Sequence, residues 1–223
     1  MNVLAIDTVA PVIGVALRHD GQTVQRVLRQ QRGAETLLVP WILALCEEAC
    51  VARTDLDGIA VAHGPGSFTG LRVGLATAMG LAAGLGIPVW PALSLAARAR
   101  RATGKLPVLA MLDARKSRVY AAWYPAPGEP ATGPGDVPPE EALRWATAPF
   151  VATGEGALAW RSLVLAAGGQ IADDADDPAV DVLAEMGEEA LSRGDGRDPI
   201  DVGPLYLRAP DAKPPPDLAG ERS

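Results

Sequence analysis

Apolar residues open the chain in short runs. Residues 3–7 are apolar and end on a carboxylate, and 13–18 form a second run. Asp20-Gly21 then leads into 23–28, where Thr23, Gln25 and Val27 alternate with Val24, Arg26 and Leu28. A period of two, with an Asp-Gly pair between runs, predicts three strands, the last two an antiparallel hairpin. The period then lengthens. Leu38, Trp41, Ile42, Leu45 and Ala49 recur at helical spacing over 35–50, and Pro40 is expected to kink that helix or mark its true start. A fourth strand follows over 58–62, a second helix over 68–84, a short fifth strand over 88–90, and a third helix capped by Ser94 and running to Arg101.

Lys105-Leu106-Pro107 opens a second unit. Two strands, 108–113 and 118–123, flank the polar turn 114–117, and residues 125–139, rich in Pro and Gly, read as a loop. Helical patterns follow at 139–146, 157–167 and 179–193, and 211–223, with three consecutive prolines, reads as a disordered tail. Strands first, then strands alternating with helices, predict α/β architecture: mixed sheets with helices packed on them. The expected division is 1–104, 105–210 and the tail 211–223. No internal repeat is visible, although both halves open with a strand ending in Asp, at Asp7 and Asp113.

Composition narrows the function. Of 223 residues, 48% are hydrophobic and 21% charged, within the ordinary globular range, while the 4% aromatic share favours cores of small aliphatic side chains. The formal charge of -7, without a basic run, is poorly suited to gripping phosphates, so a role in RNA chemistry would need a partner to supply the RNA surface. Cys46 and Cys50, four apart on one helix, make neither a disulfide framework nor a four-ligand zinc site. No basic leader precedes the first strand, and no uninterrupted apolar stretch approaches the roughly 20 residues of a membrane span; a cytoplasmic location without membrane contact is the expectation.

The most site-like segment is GPGSFTGLR, residues 64–72, between a strand and a helix, where backbone N–H groups and the helix dipole favour an anion. Gly64 and Gly66 permit close approach, and Ser67 or Thr69 can cap the helix. Two phosphate templates fail on spacing. Gly70 is followed by Leu71 and Arg72 rather than Lys-Ser/Thr, and Gly64, Gly66 and Gly70 are spaced G-x-G-x-x-x-G. A tight turn and an anion loop both stay open. On the helix that follows, Gly70, Gly74, Thr77, Leu81 and Gly84 share one stripe at about 100° per residue. That stripe either packs on the chain's own sheet or meets a helix of another subunit, and in the second case Gly74→Arg should block pairing without unfolding the monomer. Asp7 and Thr8 are vestigial candidates for a metal–nucleotide site, against the plainer reading of a turn-forming Asp. Only two histidines occur, His19 and His63, without helical zinc-ligand spacing, and no G-x-S-x-G elbow is present. No catalytic set and no metal site is expected.

Several segments together resemble the TsaB family: LAIDT at 4–8, ETLLVP at 35–40, GPGSFTGLRVG at 64–74, Asp113-Ala114-Arg115 with Val119-Tyr120, and PLYLR at 204–208. The resemblance is dense over the first half and thinner between 125 and 201. It implies an actin-like ATPase (ASKHA) fold of two lobes, each a mixed sheet flanked by helices, the second lobe reduced. It implies a non-catalytic subunit that pairs with a TsaD-like catalytic subunit, joined by a TsaE-like ATPase, for threonylcarbamoyl transfer to an adenosine beside the anticodon of tRNA. tRNA would be met only through the complex, and ATP or ADP only there, if at all, with no cofactor bound tightly. The family's partner surface uses the first two helices, here 35–50 and 68–84, giving Leu38, Trp41, Ile42, Leu45, Gly70, Gly74, Thr77, Leu81 and Gly84 as interface candidates. The same surface can self-pair into a homodimer. The alternative is a stand-alone ATP-dependent phosphotransferase of the same fold working through Asp7 and Asp113.

Overall fold

In the computed structural model, residues 1–29, 33–102, 104, 106–128 and 130–208 are described. The expected tail at 211–223 lies outside them. The elements, in order, are β1 (Val3–Asp7), β2 (Val12–His19), β3 (Gln22–Arg29), α1 (Ala34–Glu48), β4 (Gly58–Gly64), α2 (Phe68–Leu85), β5 (Val89–Leu93) and α3 (Ser94–Ala102). The second half adds β6 (Val108–Asp113), β7 (Val119–Tyr124), β8 (Thr132–Val137), α4 (Pro139–Trp145), β9 (Phe150–Thr153), α5 (Glu155–Ala159), α6 (Arg161–Ala166), β10 (Gly169–Ile171) and α7 (Val180–Ser192). Short 3₁₀ turns lie at Arg53–Asp55 and Pro199–Asp201.

Each half forms a five-stranded sheet, in the orders β3-β2-β1-β4-β5 and β10-β9-β6-β7-β8. In both, the first three strands are an antiparallel meander, and two parallel strands are added on the far side of the first. The two halves are therefore the same topology written twice, and Asp7 and Asp113 end equivalent strands. The duplication is invisible in the sequence because the constraint is a pattern of pairings, which many side-chain sets satisfy.

Strand periodicity divides the core into layers. Leu4, Ile6, Val15, Leu17, Ile59 and Val61 point to one face of the first sheet, under α1 and α2. Their neighbours Val3, Ala5, Ala16, Ala60 and Ala62 point to the other face, in one cluster with Val108, Ala110, Leu112 and Ala122 of the second sheet. Helices α3 and α7 run between the two sheets. Small alanines on both facing surfaces let them approach; a Cβ on Gly187 of α7 would stand 2.5 Å from that of Ala60. Helix α7 thus packs on β1, β2 and β4 although it comes late in the chain. The outer face of the second sheet, with Leu109, Met111, Trp123 and Phe150, is covered by α4 to α6.

Asp20 and Gly21 both take positive φ, 48° and 76°, and pair His19 with Gln22, as the hairpin signal predicts. Pro40 lies inside α1. Three expectations need correction. The Pro/Gly-rich stretch 125–139 is not all loop: Thr132–Val137 is edge strand β8, tolerated there because an edge strand can spare an N–H. The helix expected at 157–167 is two short helices meeting at Trp160. Strands β9 and β10, only four and three residues long, were too short to carry a period.

Candidate functional site

The carboxyl ends of β1, β4 and β6 converge where open α/β sheets put their ligands. There Asp7 is closed off by its own chain. Its Oδ1 accepts the Val9 N–H at 3.0 Å, and its Oδ2 accepts Arg98 Nη1 at 2.7 Å. Both side chains are 1% exposed. Arg98 comes from α3 and also donates to the Ser94 carbonyl at 2.6 Å, while its Nη2 has no hydrogen-bond partner among the described residues. A guanidinium thus stands against the carboxylate that a metal–nucleotide would need. Sequence reasoning missed Arg98, whose signal was a charge three residues after Leu95 on the buried face of a short helix.

Across the gap, Glu155 at the start of α5 accepts the Asp113 N–H at 3.3 Å. Burial pushes its carboxyl above the usual range, with nearby Arg98 opposing the rise. Asp113 itself accepts the Arg115 N–H at 2.9 Å. Ser94, expected as a helix cap, instead accepts the Gly64 N–H at 3.1 Å and so ties α3 to the glycine turn. Among the described residues no group of three His, Cys, Asp or Glu side chains converges on a metal position.

The glycine turn is packed by the chain itself at each glycine. A Cβ on Gly64, which has φ 130°, would lie 2.4 Å from the Leu205 carbonyl oxygen; one on Gly66, 2.6 Å from Val9 Cβ; one on Gly70, 1.9 Å from the Thr8 oxygen; one on Gly74, 2.4 Å from Thr8 Oγ1. Ser67 caps α2 by accepting the Gly70 N–H at 3.3 Å, and Thr8 Oγ1 donates to the Gly70 carbonyl at 2.7 Å. Thr69 is exposed on the first turn. The turn is tight and packed by the chain itself.

The stripe on α2 is a flank of the helix. Leu71, Leu75, Ala78 and Ala82 point down into the core, and Gly74 is buried beside them. Gly70 and Gly74 press on Thr8, Thr77 and Leu81 are half-buried, and Gly84 is open. Gly70 and Gly74 are therefore corrected from interface candidates to packing positions of the chain's own sheet. The same correction applies to Leu38, Ile42 and Leu45 of α1, which are buried under the first sheet. Each stabilises the monomer by about 1.5–3 kcal/mol when buried, so none is free for a partner. Trp41 is half-buried against the same core.

What α1 and α2 leave outward is different. On α2 it is Thr69, Arg72, Ala76, Gly80, Ala83 and Gly84, and on α1 it includes Val39, 48% exposed, and Leu43, 39% exposed. Nothing lies within 4 Å of a Cβ built on Gly80 or Gly84. By length and mean hydropathy α2 could cross a membrane, although Thr69, Arg72 and Thr77 interrupt its apolar run, and one of its faces is docked on the sheet.

Two topologically equivalent five-stranded sheets around a pair of central helices define a two-lobed protein of the actin-like ATPase class. A distant likeness to the ethanolamine utilization protein EutJ of Carboxydothermus hydrogenoformans, at 12% identity, TM-score 0.56 and covering 84% of this chain and 90% of that one, shows the fold alone. A family model described as tRNA N6-adenosine threonylcarbamoyltransferase matches residues 29–193. The solved structure of YeaZ from Pseudomonas aeruginosa is 31% identical, with a TM-score of 0.81, covering 92% of this chain and 99% of that one. The tRNA threonylcarbamoyladenosine biosynthesis protein TsaB of Escherichia coli is 29% identical over 93% of this chain and 95% of its own. An uncharacterized protein of Mycobacterium tuberculosis is 36% identical over 96% and 94%. The chain belongs to the TsaB/YeaZ family, within the wider TsaD-like group, and so to tRNA threonylcarbamoyladenosine biosynthesis.

Proposed function

We propose that this chain is a non-catalytic subunit that binds and activates a TsaD-like enzyme for threonylcarbamoyl transfer to tRNA, with a TsaE-like ATPase joining the pair. The observation that carries the reading is the outward face of α2. Beyond Arg72 it holds no charged residue, and Ala76, Gly80, Ala83 and Gly84 offer a smooth apolar track beside Val39 and Leu43 of α1. An apolar face of this kind is a recognised mark of a protein partner. Small side chains let a second helix approach closely while little side-chain entropy is lost. The same track can pair two copies of the chain when the partner is missing.

The Asp7–Arg98 pair supports the non-catalytic half of the reading. A carboxylate that is buried, paired with a guanidinium and bonded at both oxygens is poorly placed to hold a metal–nucleotide, and on this reading the isolated chain binds neither ATP nor ADP tightly. The acidic surface agrees with tRNA being met through the complex.

Reconstitution tests this directly. tRNA modification by the TsaD-like and TsaE-like partners collapses when this chain is omitted and is restored by the wild type but not by Gly80→Arg. Full modification without the chain refutes the proposal. Stoichiometric, tight binding of ATP with magnesium to the isolated chain, lost in Asp7→Ala, would instead favour a stand-alone phosphotransferase.

A further inference from the structure

Residues 202–208 run from one lobe to the other. Val202 is buried in the core under α2. The Gly203 carbonyl accepts His63 Nδ1 at 3.1 Å, and the Leu205 N–H donates to the His63 carbonyl at 2.7 Å, at the carboxyl end of β4. Tyr206 stacks on Phe68 of the first turn of α2, with centroids 5.0 Å apart, and its hydroxyl accepts Arg72 Nε at 3.2 Å. The Arg72 guanidinium stands 3.8 Å from the Phe68 ring centre. Two residues later the chain is fastened to the other lobe. Arg208 Nε and Nη2 reach the two oxygens of Asp136 on β8 at 2.9 and 3.0 Å, and Nη1 donates to the Ala114 carbonyl, just past the end of β6, at 2.9 Å. Arg118 of the second lobe holds the same Asp136 carboxylate at 2.7 Å.

The seat is built for this segment. Gly64 has no room for a Cβ because the Leu205 carbonyl oxygen would lie 2.4 Å from it, so the first glycine of GPGSFTG is reserved for the strap. Arg208 is three residue steps from Leu205, a reach of about 11 Å of backbone. With so short a tether, the carboxyl ends of β4 and β6 cannot move apart unless the Arg208–Asp136 pair or the Leu205–His63 pairing opens. A two-point, charge-assisted contact at one end and a backbone hydrogen bond with an aromatic stack at the other make both anchors specific.

We propose that residues 202–208 form a latch between the lobes, through which the closure of their mouth and the order of the first turn of α2 are coupled. The latch sits over the strand ends where Asp7 and Asp113 lie, and it holds Phe68 and Arg72 at the start of the helix that carries the outward apolar face. The inference does not depend on that face being a docking surface.

Hydrogen exchange of the full chain tests it, comparing wild type with Asp136→Asn. The Asp136 carboxylate is held by Arg118 and Arg208, neither of which is on the first sheet. Peptides covering 64–72 should nevertheless exchange about tenfold faster in the variant, together with those covering 114–118, while β1 and β6 stay protected. Arg208→Gln, which keeps Arg118 on Asp136, should give the same pattern and stands in if Asp136→Asn does not fold; Arg208→Lys should restore part of it. Faster exchange confined to the second lobe, with 64–72 unchanged, overturns the latch and leaves a local surface contact.

Discussion

Gly80→Arg separates an outward face from a packing face on the same helix. At about 100° per residue, Gly80 lies about 170° from the mean direction of Leu71, Leu75, Ala78 and Ala82, so its substituent points straight away from the sheet. A Cβ there meets nothing within 4 Å. In the monomer, replacing a mid-helix Gly by a good helix former gains about 0.8 kcal/mol, a rise of roughly 2–3 °C in Tm for a chain of this size. In a pair, a long charged side chain would be wedged into a close helix contact. An uncompensated charge there costs about 3 kcal/mol or more, at least a hundredfold in Kd. Gly74→Ala is the opposite case: its Cβ would stand 2.4 Å from Thr8 Oγ1. Overpacking of that kind lowers monomer stability by about 1–3 kcal/mol. Gly74→Arg would therefore destabilise the monomer instead of sparing it, since even a Cβ at Gly74 meets Thr8. Thermal melts and sedimentation velocity, each run alone and with the TsaD-like partner, read both quantities. Pairing unchanged in Gly80→Arg, or a monomer destabilised as much as by Gly74→Ala, refutes the assignment of the two faces.

Three other outcomes follow from the core and the strand-end site. Arg98→Met leaves Asp7 buried without its cation and should cost about 3–5 kcal/mol in urea unfolding, most of it recovered in the double variant with Asp7→Asn; equal losses in single and double variants would mean the pair is not the cause. Glu155 has a carboxyl pKa raised by burial, so its charged form costs stability once pH climbs from the ordinary carboxylate range through the folded-state value. Glu155→Gln should therefore melt higher than wild type at neutral pH, with the gain vanishing in acid; a gain independent of pH would contradict the burial argument. Leu45→Ala should cost about 2–5 kcal/mol of monomer stability and leave pairing affinity unchanged wherever the variant is folded, because Leu45 belongs to the core under α1.

Strands and helices of the first half were legible because their hydrophobic periods are long enough to read: β1 to β4, α1 and α2 fall within about two residues of expectation. The second half was less so. Strand β8 is built from Thr132, Gly133, Pro134 and Gly135, a composition that local rules assign to loops, and only its pairing with β7 makes it a strand. At the site, the pattern put Asp7 at a strand end and the glycine turn at a helix start, and the parallel pairing of β1 with β4 is what brings the two side by side. It could not supply Arg98, because a buried charge on α3 violates the rule by which inward positions are recognised, and its reason lies ninety-one residues away in Asp7. Nor could it tell which glycines of α2 face inward. The stripe through Gly70, Gly74, Thr77, Leu81 and Gly84 is real as a helical alignment, but it runs about 110° from the buried direction, along the flank.

That flank position explains why one motif carries two kinds of glycine. Gly64, Gly66, Gly70 and Gly74 are each answered by an atom of the chain's own β1 turn or strap within 3 Å, so their smallness serves the monomer. Gly80 and Gly84 are answered by nothing, and in a solvent-facing helix a glycine costs about 1 kcal/mol relative to alanine. In the proposed complex that cost is offset where a second helix closes on this face. The strand ends point the same way from the other side: Arg98 sits against Asp7, and the 202–208 strap lies over the turn beside it. At the strand ends Asp7 is turned toward Arg98 and Asp113 toward the Arg115 N–H of its own turn, while the exposed apolar surface lies on the outer face of α1 and α2.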